Sequence, residues 1–341
     1  MNNQSFMANI PTEIERRLQG VSLGATNLPL EIIAKEENLD LASWIKEYKD
    51  EVDRLLYQHG ALLFRNFNVN NPIRLQNVAQ AYSQELLDYT ERGAPRISLG
   101  GKVFTSTEYA KEEVIPLHHE MSYSNNWPSK LFFCCQQRAS EGGYTPVACD
   151  RKVIRKIPEA IKRKFLDKKV MYVRNYGLGV DMSWQEAFAT ESRSQVEKYL
   201  NQTNTSFEWI GKDRLRTRAV RQVVATHPVT NDTVWFNHAH LFHVSNMPSD
   251  VRDFLVEEFS EDGIPRNAFY GDGSTIEDSV LEEIMGIYNS EAVKFPWKEG
   301  DMLLLDNFLV SHGRTPFKGK RRICVAMSEL YSAKGVDHDA K

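Results

Sequence analysis

Three residues in this sequence have the types and the spacing to hold a divalent metal. His118 and Glu120 stand in PLHHEMSY, residues 116–123. On a strand, positions two apart project to the same side, so one imidazole and one carboxylate would face one way and His119 the other. The third residue, His312, ends the apolar run LLLDNFLVSHG beside Gly313, where a side chain can point into a cavity mouth. It lies 194 positions beyond His118, a separation that a closed β-structure bridges. Two histidines and a carboxylate on one face of an octahedral ion leave open positions, which suits non-haem Fe(II) and oxygen chemistry. H-x-E alone is short enough to arise by chance.

Other clusters compete or assist. His238, His240 and His243 lie in WFNHAHLFH. On a strand, the first two would share a face and could bind zinc, but no carboxylate or thiol stands among them. Their aromatic flanks favour packed rings that wall a pocket. GGYTPVACD, residues 142–150, reads as a tight turn that presents the Thr145 hydroxyl. FKGKRRICVAM, residues 317–327, puts Arg321 and Arg322 before a buried strand. Alternation sends one inward, and a buried arginine needs a carboxylate partner. Read alone, the first of these segments is also a plain hairpin turn, and the second is better read as an exposed basic pair ahead of an edge strand. No dinucleotide G-x-G-x-x-G, phosphate-binding P-loop or G-x-S-x-G elbow is present, which leaves metal chemistry as the leading enzyme class.

The elements that must position these residues follow from the rest of the chain. It has 341 residues, a formal charge of −4, 41% hydrophobic and 26% charged residues, values of an ordinary folded protein. The slight acidity argues against nucleic acid as the main partner. No apolar run approaches the roughly 20 residues of a membrane span, and the first residues lack a signal-peptide core. Cys134 and Cys135 are adjacent, Cys149 and Cys324 are isolated, and no C-x-x-C occurs, so the thiols read as reduced in a cytoplasmic protein. Apolar spacing predicts a helix over 39–57 ended by Gly60, a strand at 61–67 and a helix over 72–87. From about residue 100, short apolar runs alternate with turns, as in an antiparallel sandwich or barrel. Helical insertions are predicted at 158–168, 194–201, 248–258 and 275–289. Residues 1–25 read as a flexible lead-in and 26–341 as one mainly β domain with helical decorations.

Four segments in order carry a family resemblance. They are STEYAKEEVIPLHHEMSYSNNWPSKLFFCC, GGYTPVACDRKV, VWFNHAHLFHVS and LLLDNFLVSHGRTPFKGKRRICVAM. Together they resemble the TauD/TfdA-like Fe(II)/2-oxoglutarate-dependent oxygenases over roughly Ala61 to Leu330. The likeness is greatest to the syringomycin-hydroxylase type of antibiotic and nonribosomal-peptide biosynthesis. The resemblance implies a double-stranded β-helix, the jelly roll of clavaminate synthase-like proteins, with iron at one mouth. His118, Glu120 and His312 match the family's metal triad. Thr145 matches the threonine at the distal carboxylate of 2-oxoglutarate. Arg321 matches the arginine paired with that carboxylate, and Arg322 is the alternative one register step away.

Many relatives use aspartate where this chain has Glu120, and related halogenases have a small residue there, so Glu120 argues against halogenation. The implied reaction consumes dioxygen, releases succinate and CO2, and by default hydroxylates a C–H bond. Desaturation, epoxidation or cyclisation would use the same residues. The implied substrate is an amino acid, free or tethered to a carrier protein, or a peptide-like intermediate. Arg174, Arg216, Asn237 and His240 are candidates to reach it. Asp306 or Asn307 is a candidate to support the His312 strand. A non-catalytic jelly-roll binding protein and a zinc hydrolase using His238 and His240 are the readings of other classes. Neither nucleic acid nor membrane is an expected partner, and assembly into a homo-oligomer is left open.

Overall fold

The computed structural model describes residues 18–23, 28–35, 39–107 and 109–333. Eight strands form a large sheet in the order Leu18–Leu23, Leu30–Ala34, Ala61–Arg65, Met302–Asp306, Asn126–Gln137, Arg322–Ser332, Val103–Thr105 and Ser98–Gly100. Most pairings are antiparallel; Leu30–Ala34 runs parallel to Ala61–Arg65. A small sheet of Ile115–His118, Val310–Arg314 and Val147–Cys149 packs on its inner face. This is the expected jelly roll. Leu18–Leu23 pairs with Leu30–Ala34, so that part of the expected lead-in belongs to the sheet. The rest of that lead-in, 1–17 and 24–25, lies outside the described residues.

The large sheet is covered on both faces, which explains its unbroken apolar runs. Leu131, Phe133, Leu303, Leu305, Ile323 and Val325 point inward and share a core with Leu117, Val147 and Val310 of the small sheet. Their neighbours Phe132, Cys134, Met302, Leu304 and Cys324 point outward against Trp44, Leu55, Leu75 and Val78. Those last residues belong to three helices, Leu41–Glu47, Lys49–His59 and Pro72–Tyr82. The single helix expected over 39–57 is therefore two, broken at Tyr48, whose ψ of 32° leaves the helical region. Gly60 does end the second, at φ 81°, donating its N–H to Leu56 O. The helix from Pro72 stops at Tyr82 rather than 87, because Ser83 is extended.

The insertions expected near 158–168, 194–201, 248–258 and 275–289 are helices Glu159–Lys168, Arg193–Gln202, Ser249–Phe259 and Asp278–Glu291. Two short helices, Asp150–Lys156 and Trp184–Phe188, were not expected. A further correction concerns WFNHAHLFH. The strand there ends at Trp235, and Ala239–Phe242 is a helical turn capped by His238. The shared strand face assumed for His238 and His240 does not exist. The four cysteines are unpaired thiols, three of them buried. Among the described residues, no helix is long and apolar enough to cross a membrane.

Register in the small sheet is what brings distant residues together. His312 stands directly opposite His118 on one side and Val147 on the other. The pairing then shifts, and Gly313 accommodates it: a Cβ there would lie 2.5 Å from the Ile115 carbonyl oxygen. Backbone cannot yield as a side chain can. Gly313→Ala is expected to cost about 1–3 kcal/mol, the range for overpacking a filled site. Urea unfolding measures this, and an unchanged midpoint would show that the strand gives way freely.

Candidate active site

The structure gathers the three predicted metal ligands. Nitrogen or carboxylate atoms of His118, Glu120 and His312 all lie within 4.8 Å of one another, and all three residues are buried. The two histidine rings are 4.6 Å apart between centroids. His118 Nδ1 lies 2.8 Å from the Pro116 carbonyl oxygen, which can only accept, so the proton sits on Nδ1 and Nε2 keeps its lone pair. Burial pushes the His118 imidazole down and that of His312 well down. Both rings are therefore neutral at pH 7, the form a metal needs. The 3.9 Å approach of His312 Nε2 to Glu120 Oε2 is accordingly no ion pair.

Glu120 arrives differently from the strand expectation. The strand ends at His118, and Glu120 stands in the turn beyond it, before Met121 at φ 60°. Asn307 pins that turn. Its Oδ1 accepts from Glu120 N at 2.8 Å, and its Nδ2 donates to Glu120 O at 3.0 Å and Pro128 O at 2.8 Å. Asn307 thus supports the carboxylate ligand, not the His312 strand it was expected to support. Tyr89 Oη donates to Glu120 Oε1, and Arg96 Nη2 donates to Oε2 at 2.8 Å. The His312 strand is held instead by Asp150, whose Oδ2 accepts from Ser311 N at 2.7 Å. Asp306 serves the turn and a buried ion cluster. It accepts from Phe308 N and lies 3.1 Å from both Lys130 Nζ and His227 Nε2. Burial alone would raise its carboxyl, but Lys130 and His227 outweigh it and hold the group at about 2.

Beside the triad lies a narrow chamber of about 30 Å³ bordered by His118, His312, Phe133, Thr145 and Arg321. Thr145 Oγ1 accepts from Trp297 Nε1 at 3.0 Å and from Arg321 Nη2 at 3.3 Å. Its hydroxyl proton is then left to donate to a ligand. Arg321 also donates from Nε to Gly143 O at 2.9 Å. Gly143 sits at φ 68°, and a Cβ there would meet Arg321 Cδ at 3.0 Å, so the glycine turn makes room for the arginine. Among the described residues no carboxylate pairs with Arg321; burial and the Arg314 charge push its guanidinium down to about 10. Arg322 is exposed. Of the two arginines, Arg321 turns inward.

A second narrow chamber lies on the other side of His118 and Glu120, walled by Arg96, Tyr123, His238, Phe242 and Arg266. Tyr109 and Arg266 border both this chamber and an outer cavity of about 880 Å³ with apolar walls from Val180, Met182, Met247 and Phe254. His238 is a wall residue. Its Nδ1 meets Ser122 Oγ at 2.7 Å, and burial pushes it well below its ordinary value. His240 Nε2 meets Leu117 O at 2.7 Å, and burial pushes it down to about 4. His243 Nδ1 meets Ser245 Oγ at 2.8 Å. Among the described residues, the triad is the one group with metal-binding geometry, so the zinc set fails.

Three other substrate candidates have structural partners. Asn237 donates to Val223 O and Arg216 to Asn175 Oδ1. Arg174 lies over the rings of Tyr123 and Tyr176. Tyr89, Arg96 and Asp150 were missed. Each acts from a loop or helix end, where no periodicity marks it.

Two outcomes follow. Asn307→Ala should weaken metal binding about 10–100-fold, as loss of an outer-shell partner does, and cost about 1–3 kcal/mol for unpaired buried groups. Metal titration and urea unfolding measure the two. For His240, an unfolded imidazole protonates near 6.5 and the folded one only near 4. Between those values the unfolded chain binds more protons, so stability is lost as pH falls from about 6.5 to 4. His240→Gln should flatten the metal-free protein's stability profile there by up to about 1.4 kcal/mol per pH unit. An unchanged slope would show that His240 does not contribute.

Comparisons with known proteins give the family and the fold. Residues 24–327 match the family described as taurine catabolism dioxygenase TauD, TfdA family. The dapdiamide synthesis protein DdaC of Enterobacter agglomerans is 39% identical over 276 residues, covering 81% of this chain and 84% of that protein. A clavaminate synthase-like protein of Arabidopsis thaliana is 31% identical over 294 residues, covering 83% and 86%. The crystal structure of PvcB from Pseudomonas aeruginosa is similar in fold, with a TM-score of 0.52 at 14% identity, covering 87% and 84%. A second PvcB structure, described as an Fe, alpha-ketoglutarate dependent oxygenase from an isonitrile synthetic pathway, has a TM-score of 0.50 at 14% identity, again covering 87% and 84%.

Proposed function

Because the chain belongs to the TauD/TfdA family of dioxygenases, we propose that it is an Fe(II)/2-oxoglutarate-dependent oxygenase of a biosynthetic pathway. In this reading it hydroxylates a C–H bond of an amino acid, free or carrier-bound, or of a peptide-like intermediate. The observation that carries the reading is the buried triad. It joins two neutral imidazoles and one carboxylate on converging backbone, and it leaves the remaining sides of an octahedral ion to other ligands. His118, Glu120 and His312 would hold the iron. Bound iron and 2-oxoglutarate would let dioxygen act as the oxidant, one of its oxygen atoms entering succinate as CO2 is released and the other entering the product.

The chain's own residues supply geometry and exclusion of water. Arg321 is a half-buried cation whose missing carboxylate partner is the distal carboxylate of 2-oxoglutarate. Thr145 donates its hydroxyl proton to the same group, and Trp297 fixes the hydroxyl's orientation. Asn307 fixes Glu120 at its backbone, and Tyr89 and Arg96 hold its carboxylate. Phe133, with its ring 5.2 Å from that of His312, keeps the site dry. Glu120 would take the position that related halogenases leave to a halide, which argues against halogenation. Biosynthetic use is supported by the likeness to a dapdiamide synthesis protein.

The test is spectroscopic. Metal-free protein is given Fe(II) and 2-oxoglutarate without oxygen, and the weak visible charge-transfer band of the chelate is sought. Wild type should show it, His118→Ala and His312→Ala should lose it, and Arg321→Met should need at least tenfold more 2-oxoglutarate. Admission of air with amino acids and carrier-bound analogues should yield succinate and a product one oxygen atom heavier. A product lacking two hydrogens would replace hydroxylation with desaturation or cyclisation. No band and no succinate across the panel would sink the oxygenase reading.

A further inference from the structure

Arg96 is more than the ion-pair partner of Glu120. Its side chain is 5% exposed and lies over the Tyr89 ring, 4.5 Å from the centroid. One nitrogen, Nη2, reaches Glu120. The other two, Nε and Nη1, are buried with no hydrogen-bond partner. Buried Arg65, Arg174 and Arg221 each have one such nitrogen, whereas Arg96 has two. Leaving a buried donor unpaired is costly, and more so for a charged group. A guanidinium that only braced Glu120 would carry that cost for nothing.

The position explains it. Arg96 borders both narrow chambers, the one with Thr145 and Arg321 and the one that opens toward Arg266 and the outer cavity. His118, Thr107 and Ile115 are the other residues common to both. Cδ lies between the two unpaired nitrogens, so each makes a fork edge with Nη2. Nη2 has two hydrogens and Glu120 takes one, which leaves the other to complete an edge with Nε or Nη1, the geometry that matches a carboxylate.

We propose that Arg96 is a second carboxylate-binding residue of this site, an unpaired nitrogen and the free hydrogen of Nη2 receiving a carboxylate that lies beside the metal. The proposal rests on the oxygenase reading for the nature of the site. Two molecules could bring the group: 2-oxoglutarate, through the carboxylate remote from Arg321, or a substrate that enters from the outer cavity past Arg266 with a free carboxylate near its reacting carbon. Arg96 positions that carboxylate relative to Glu120, because one guanidinium touches both.

The experiment uses Zn(II)-loaded full-length protein, which cannot turn over, with calorimetric titration. The probes are 2-oxoglutarate, and N-acetyl amino acids paired with their primary amides in the presence of 2-oxoglutarate. In Arg96→Met, at least a tenfold loss of 2-oxoglutarate affinity identifies the cosubstrate as the source. Unchanged 2-oxoglutarate affinity with collapse of the acid-over-amide preference identifies the substrate. If no acid of the series binds wild type, the 2-oxoglutarate arm decides alone. Zn(II) affinity is measured beside these. A fall in metal affinity with 2-oxoglutarate affinity and acid preference unchanged means that Arg96 only braces Glu120, and overturns the proposal. Arg96→Lys keeps a cation for Glu120 but lacks the fork, so it should restore metal affinity without restoring carboxylate affinity. The Fe(II) chelate band of the wild type stands or falls separately. Its presence with unchanged binding in Arg96→Met overturns this proposal and leaves the oxygenase reading intact.

Discussion

The site depends on one cross-strand pairing, His118 against His312. Facing residues of an antiparallel pair hold their side chains within a few ångströms of each other, and a one-residue slip would send one imidazole to the opposite face. Register is therefore the quantity the surrounding structure has to protect. The core packed between the two sheets resists slippage, since a shift would turn Leu117 and Val310 out of it. Gly313 lets the strands approach where the ladder becomes irregular, one residue past the pair. Asp150 ties down Ser311, one residue before it. The pairing is thus fenced on both sides.

Burial then sets the chemistry. The same low-dielectric surroundings that keep His118 and His312 neutral make unpaired cations expensive. Neutral imidazoles suit a metal, and the retained arginines suit anions. Arg321 has carbonyl and hydroxyl partners but no described carboxylate, while Arg96 has a carboxylate and two donors unused. In the proposed reading, cations held at this cost answer to anionic ligands. The apolar outer cavity beyond Tyr109 and Arg266 has room for a larger body than the narrow chambers do.

How much of this is legible in the sequence follows from which forces act locally. The triad types, Thr145 and the paired arginines stand in short segments whose order along the chain is distinctive, so residue types and order suffice to name them. The direction of Arg321 is not legible in that way, because the alternation that decides it starts from a strand end, and strand ends are the least readable part of a pattern. The helix break at Tyr48 is hidden because the apolar spacing continues through it. WFNHAHLFH misleads for the opposite reason. Its alternation imitates a strand, but the histidines are satisfied by Ser122, Leu117 and Ser245, and the backbone follows those bonds into a helical turn. Tyr89 and Arg96 are 31 and 24 positions from Glu120. Nothing in their own surroundings announces a partner that only folding supplies.

The choice of glutamate over aspartate in the triad is explained by where that residue sits. Had position 120 continued the strand, an aspartate two residues after His118 would project beside it. The chain instead leaves the strand at His118 and turns, with Met121 in the left-handed region. A ligand mounted on a turn needs reach and needs restraint. The additional methylene of Glu120 supplies reach. It also adds a rotatable bond, whose freedom would blur the carboxylate's position. Asn307 restrains the residue at its backbone, and Tyr89 and Arg96 restrain it at its two oxygens. Burial raises the Tyr89 hydroxyl well above its ordinary value, so it remains a donor throughout the working pH range. The longer ligand and its three anchors therefore form one device, in which removal of any anchor returns to the carboxylate the freedom that the extra methylene brought.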